Sequence, residues 1–156
     1  MPRPRASIRH AHLPDLDALV ALEEATFTSD RISRRQWRRH LDSASVAVLA
    51  ADTAGRIDAA AVVCYRRNSR KARLYSLAVD ALARGTGTGS ALLAAAEADA
   101  RARGCTSMHL EVHVGNTAAV TLYEHRGYRR GAYVPRFYED GGDAWRYAKA
   151  LAPIAR

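Results

Sequence analysis

Apolar and polar positions change period repeatedly along the 156-residue chain, and each change marks an element. Ser7–His10 reads as a short opening strand. A helix is expected from about Pro14, which suits a first helical turn, with Leu16, Leu19 and Val20 at helical spacing. Ser33 and Gln36 have capping-box spacing, with Ile32 and Trp37 placed as a hydrophobic staple. A second helix therefore starts there, carrying Trp37 and Leu41 inward and arginines outward. Val46–Ala51, Ile57–Arg66 and Ala72–Asp80 read as strands, separated by turns at Asp52–Gly55 and Asn68–Lys71, and the last two form a hairpin.

From about Gly87 to Arg103 the period turns helical, with Leu92, Leu93, Ala96 and Ala100 on one stripe and Glu97–Arg101 spaced as an i,i+4 ion pair. Gly104 ends that helix. Ser107–Val114 is a strand and Asn116–Arg126 a helix closed by Gly127. Tyr128–Pro135 and Ala144–Leu151 form a final hairpin around Glu139–Asp143. No linker or repeat interrupts the order, so residues 1–156 predict one α/β (α+β) domain. Its mixed central sheet of about seven strands is flanked on both faces by about four helices.

Apolar residues at 48% and charged residues at 26% are the balance of a folded chain rather than a disordered one. The longest apolar run, Ala59 to Tyr65, is far short of the roughly 18 residues a membrane span requires, and Met1–Arg9 is not a signal segment. Two cysteines, Cys64 and Cys105, suffice for neither a disulfide framework nor a four-ligand zinc site. The expectation is a cytoplasmic protein with no membrane partner and no metal. A net charge of +8 favours anionic partners: phosphorylated cofactors, nucleic acid or acidic peptide. Only Lys71 and Lys149 are lysines, however, and this arginine and alanine bias has the look of GC-rich coding. The arginines of Arg31–Arg39 accordingly read as a solvated helix face rather than a nucleic-acid surface.

The sharpest local chemistry is Arg84-Gly85-Thr86-Gly87-Thr88-Gly89, between a strand and a helix. Glycines let the backbone approach a ligand closely, and the free N–H groups of a helix start form an anion cradle. The alternative is a merely flexible turn. The spacing is neither the dinucleotide fingerprint nor a nucleotide P-loop.

Arg84-x-x-Gly87-x-Gly89 after the strand Leu74–Val79 resembles the pyrophosphate loop of the GNAT superfamily of acetyl-CoA-dependent N-acetyltransferases. Leu110-Glu111-Val112, Asn116, Leu122-Tyr123-Glu124 and Gly127-Tyr128 resemble that superfamily's second signature, in order and spacing. The tail Phe137-Tyr138-Glu139-Asp140-Gly141 with Asp143-Ala144 is similar to the branch that acetylates protein N-termini, ribosomal-protein alanine acetyltransferases included. His113 and Phe137 depart from that branch's frequent arginine and tyrosine.

The resemblance implies a GNAT fold in which the backbone of Arg84, Gly85, Thr86, Gly87, Thr88, Gly89 and Ser90 holds the pyrophosphate of acetyl-CoA. It implies that Leu77, Ala78 and Val79 splay from the neighbouring strand and bond the pantetheine arm, one N–H there polarising the thioester carbonyl. Asn116 would be both helix cap and pantetheine contact, or only the cap. Glu111 is the candidate base for the incoming amine, directly or through water, and Tyr123 the candidate acid for the leaving thiolate. On the residues alone, Glu111 also reads as a carboxylate paired with an arginine or lying at a polar edge, and Tyr123 as a packed helix tyrosine. In the resembled family Phe27, Asp30 and Tyr138 lie in the segments that shape the acceptor groove. Tyr138 could bond the peptide backbone there or simply pack its hairpin, and His113 and His125 read as structural.

The expected activity is acetyl transfer by direct attack in a ternary complex, onto the N-terminal α-amine of a peptide or protein, with ribosomal proteins among the candidate acceptors. A small amine such as a polyamine or amino sugar is the alternative acceptor. A non-catalytic acyl-CoA sensor or RNA-associated module is the alternative class. Both a monomer and a homodimer fit the sequence.

Overall fold

In the computed structural model residues 5–153 are described. Every predicted element is present within a residue or two at each end. The strands are β1 (Ser7–His10), β2 (Val46–Thr53), β3 (Arg56–Tyr65), β4 (Lys71–Val79), β5 (Ser107–His113), β6 (Arg129–Val134) and β7 (Ala144–Ala150). The helices are α1 (Leu16–Thr26), α2 (Arg34–Asp42), α3 (Thr88–Ala102) and α4 (Thr117–His125), with short 3₁₀ turns at Leu13–Asp15 and Ala81–Ala83. The capping box forms as spaced: Ser33 Oγ accepts from the Gln36 N–H at 3.1 Å, and Gln36 Oε1 accepts from the Ser33 N–H at 2.8 Å.

One seven-stranded sheet runs in the order β1-β2-β3-β4-β5-β7-β6. Strand β7 returns between β5 and β6, pairing antiparallel with both, which leaves β6 at the edge. Alternation along β5 sends Met108, Leu110 and Val112 to one core and His109, Glu111 and His113 to the other face. That core lies under α3 and α4 and is built around Leu92, Leu93, Met108, Leu110 and Tyr147. A second core lies under α1 and α2, around Leu19, Leu22, Trp37, Val62 and Ala78.

The pairing of β4 with its neighbours creates the opening that matters most. Against β3 the register jumps between Val63↔Leu74 and Val62↔Ser76, so Tyr75 is an extra residue. Such a bulge bends its strand and increases local twist. On its other edge β4 pairs with β5 in parallel only through Lys71↔Ser107, Ala72↔Met108 and Arg73↔His109. Pairing stops where the bulge begins. Beyond it the strands diverge, leaving a gap that opens toward Leu77 on one side and His113 on the other.

The expected Glu97–Arg101 surface pair is not what Glu97 makes. Glu97 is buried and is held by Arg126 at 3.2 Å, Lys149 at 2.9 Å and the Tyr128 hydroxyl at 2.9 Å. A helix whose other buried positions are Leu and Ala turned this carboxylate inward because three donors from other elements converge on it. The i,i+4 pair that α3 and its C-cap form is Asp99–Arg103. No helix among the described residues is long and apolar enough to cross a membrane.

Candidate active site

A cavity of about 620 Å³ lies in the β4–β5 gap and reaches both sides of the sheet. On the α3–α4 side its wall is made by Asn116, Ala119 and Tyr123. Asn116 caps α4, its Oδ1 accepting from the Ala119 N–H at 3.1 Å. Tyr123, seven residues on, returns to the same side of α4 and is nearly buried at 6% exposure, its ring edge-on to Tyr128 at 5.7 Å. Its hydroxyl has no hydrogen-bond partner among the described residues. Burial, with Tyr138 nearby, pushes its ionisation above the ordinary phenol range, so it is a donor throughout neutral pH.

On the opposite side the wall comes from α1, the α1–α2 connection, β5 and the β6–β7 connection. Glu111 is held by Arg73 at 2.6 Å and Arg146 at 3.3 Å, one guanidinium to each oxygen, and its side chain is 13% exposed. Asp30, a non-glycine residue at φ +52°, accepts from the Glu139 N–H at 3.1 and 3.2 Å. This bond ties the α1–α2 connection to the β6–β7 connection across 109 residues. Tyr138 stacks on His113 with ring centroids 5.3 Å apart, and burial pushes its phenol up to about 12. Gly142 permits that stack: a Cβ there would sit 2.2 Å from His113 Nε2. His113 Nδ1 accepts from the Gly115 N–H at 3.0 Å, which fixes the orientation of its ring.

The glycine-rich loop lies at the end of β4. Gly87, at φ +83°, is the N-cap of α3, and a Cβ added to it would meet nothing within 4 Å. The Arg84 N–H donates to the Ala81 carbonyl and the Thr86 N–H to the Ala83 carbonyl, at 3.4 and 3.3 Å. No protein acceptor among the described residues takes the N–H groups of Gly85, Gly87, Thr88, Gly89 and Ser90. Five unpaired donors at a helix N-terminus fit a diphosphate. The cradle is thus narrower than the Arg84-to-Ser90 run expected from sequence.

Of the residues singled out in the sequence, Leu77, Glu111, Asn116, Tyr123, Phe27, Asp30 and Tyr138 line the one cavity. Ala78 turns into the α1–α2 core, Val79 packs toward Gly89, and the loop from Arg84 to Ser90 stands apart from the cavity wall. Glu23, Arg73, Tyr75 and Ser76 also line the cavity and were not foreseen. Arg73 was within reach of sequence reasoning, because parallel pairing of β4 with β5 brings it beside His109 and toward Glu111. Glu23 was hidden, because a glutamate in an amphipathic helix ordinarily reads as its wet face.

The sequence pattern of the acetyltransferase (GNAT) family matches residues 11–128. The chain belongs to this family. Its GNAT fold superposes with a TM-score of 0.84 on the crystal structure of the ribosomal-protein-S18-alanine N-acetyltransferase from Escherichia coli. Identity is 25%, covering 97% of this chain and 96% of that one. Among curated GNAT relatives, an uncharacterised N-acetyltransferase of Methanocaldococcus jannaschii is 42% identical over 72 residues, 46% of each chain. N-alpha-acetyltransferase 30 of Schizosaccharomyces pombe is 33% identical over 91 residues, 56% of this chain and 61% of its own. The match spans about half the length of these two relatives.

Proposed function

We propose that the protein transfers an acetyl group from acetyl-CoA to the N-terminal α-amine of a peptide or protein, in a ternary complex. The observation that carries the reading is the cavity through the β4–β5 gap, which joins the phenol of Tyr123 on one side to the Glu111 carboxylate on the other. The relatives named for N-terminal and ribosomal-protein acetylation support it.

Acetyl-CoA supplies the activated thioester. The free N–H groups from Gly85 to Ser90 would hold its diphosphate, and the unpaired edge of β4 from Leu77 to Val79 offers backbone bonds to the pantetheine. Asn116 contributes at the mouth of α4. The α1–α2 and β6–β7 connections, braced by Asp30 and Glu139, would hold the acceptor, with Phe27 and Tyr138 against its first residues. Glu111 already has a guanidinium on each oxygen, so it takes the amine's proton through an intervening water rather than by direct contact.

Acceptor chemistry suits that modest base. An α-amine has an ordinary pKa near 7.7–8.0 and a lysine amine one near 10.4. Deprotonation at pH 7 costs about 1–1.4 kcal/mol for the first and about 4.6 kcal/mol for the second. The test follows CoA thiol release on a peptide with a free N-terminus and on its N-blocked, lysine-containing counterpart. The free N-terminus is expected to turn over faster. Glu111→Gln should depress kcat/KM most at low pH and recover partly as pH rises through the amine's own pKa. Faster turnover of the blocked peptide would reverse the acceptor class, and a constant mutant-to-parent ratio from about pH 6 to 9 would remove Glu111 as the base.

A second reading, a small polyamine or amino sugar as acceptor, is favoured by one observation. In a chain of net charge +8 the cavity wall carries Glu23, Asp30 and Asp140, none in an ion pair among the described residues. The same assay with a polyamine in place of the peptide separates the two.

A further inference from the structure

Glu23 is an anomaly that the transfer mechanism leaves unused. It lies in the last turns of α1, is 2% exposed and lines the cavity. Its Oε2 accepts from the Ile32 N–H at 2.8 Å, closing the α1–α2 connection from below. Its Oε1 is buried and has no hydrogen-bond partner among the described residues. An unsatisfied buried carboxylate oxygen costs free energy, and such groups in native proteins have an explanation such as a water, an ion or a functional partner.

The surroundings narrow the explanation. The nearest cation in sequence, Arg31, is engaged with backbone: its Nε donates to the Phe27 carbonyl at 2.6 Å and its Nη2 to the Glu24 carbonyl at 2.9 Å. Arg73 of β4 is committed to Glu111, whose oxygens accept one guanidinium each, from Arg73 and from Arg146. The other ionisable groups on the wall are Asp30, Asp140 and His113, with the phenols Tyr75, Tyr123 and Tyr138. Glu23 is therefore a carboxylate on the acceptor side of the sheet with a free oxygen and no cationic side chain bonded to it.

We propose that Glu23 is the acceptor-binding residue that receives the substrate's ammonium group at Oε1, with Oε2 kept on the Ile32 N–H as the pivot. The proposal rests on the N-acetyltransferase reading and adds to it a division of labour. Glu23 binds and orients the charged amine, and the water held by Glu111 then takes its proton. The neutral nitrogen attacks the thioester carbonyl carbon and the C–N bond forms; the nitrogen gives up its second proton as the C–S bond breaks, and the released thiolate ends as the thiol by taking one proton. Burial raises the pKa of Glu23 above the ordinary carboxylate range, and an arriving ammonium favours its ionised form, so binding and ionisation reinforce one another.

The discriminating variant is Glu23→Gln, which keeps an oxygen for the Ile32 N–H and removes the charge. The probes are an alanine-initiated peptide and the same peptide with its α-amine replaced by hydroxyl, titrated calorimetrically into the CoA-bound protein, alongside steady-state kinetics. The parent should bind the amine more tightly than the hydroxyl analogue. Glu23→Gln should lose most of that preference and raise KM about tenfold or more, as for loss of a charged hydrogen bond, with acetyl-CoA affinity unchanged. Unchanged KM and unchanged preference would overturn the proposal and leave the buried oxygen to an internal water. Loss of cofactor binding together with the thermal transition would overturn it as well, making Glu23 a purely structural clamp. If the parent acetylates a polyamine and no peptide, the acceptor class fails instead. The Glu23→Gln comparison then runs on that amine and its hydroxyl analogue: a lost preference supports the ammonium site, and an unchanged one overturns it.

Discussion

Tyr123 shows how the setting of a single residue changes the chemistry asked of it. An ordinary thiol has a pKa near 8.5, and burial holds this phenol above its own ordinary value near 10. Full proton transfer from such a phenol to a leaving thiolate runs uphill by about 2 kcal/mol or more. In the proposed transfer its contribution would therefore be a hydrogen bond to sulfur as charge develops, with the proton completing its move late or arriving from solvent. Tyr123→Phe preserves the ring contact with Tyr128 and removes only that donor. The expected result is a fall in kcat of about 10–100-fold at nearly constant acetyl-CoA affinity. Single-turnover kinetics with a fluorescent thiol trap would check it, and an unchanged rate would reduce Tyr123 to packing.

At the scale of elements, the loop–helix junction at Gly87 and the divergence of β4 from β5 do most to shape the site. Gly87→Val adds no clash within the protein, since its Cβ would face open space, but it strains a φ of +83° and fills the space where a diphosphate would lie. Fold stability should fall by about 1–2 kcal/mol, and acetyl-CoA affinity by a much larger factor. Calorimetric titration with acetyl-CoA and a denaturant melt on one preparation would separate the two. Unchanged affinity in the folded variant would remove the cofactor assignment. The loop was legible in sequence because glycine, strand and helix signals coincide within a few residues. The extent of the gap was not, because it follows from one extra residue, Tyr75, in the β3–β4 register. Nothing in Leu74-Tyr75-Ser76 marks a bulge by composition. For the same reason Glu97 and Glu23 were misread or overlooked: both sit on amphipathic helices, and only long-range partners decide that a carboxylate there turns inward.

Across the whole molecule, two buried or half-buried carboxylates give stability opposite dependences on pH. Asp15 accepts from Arg9 through both oxygens at 2.9 Å and from the His12 N–H at 2.8 Å, joining the end of β1 to the start of α1. These bonds hold its pKa down at about 2, against 3.8 unperturbed. The stabilisation is present above about pH 4 and is lost as pH falls through about 2, since the unfolded chain binds that proton first. Arg9 is 36% exposed, so solvent screening trims the contribution to about 1–2 kcal/mol. Glu23 works the other way. Burial raises its pKa, so the folded state prefers the protonated form and stability declines as pH rises from about 4.5 through the folded value. Urea melts of the parent, Asp15→Asn and Glu23→Gln at pH 3, 5 and 8 would resolve both signs. Asp15→Asn should be less stable than the parent at pH 8 and converge with it toward pH 3. Glu23→Gln should gain on the parent as pH rises above about 4.5, the gain levelling off once pH passes the folded value. That gain, paired with weakened binding of the amine, is the signature of a charge kept in the wall for its ligand at the expense of the fold. If Glu23→Gln tracks the parent at every pH, the carboxylate is already relieved by an internal partner and has no free oxygen to offer an acceptor.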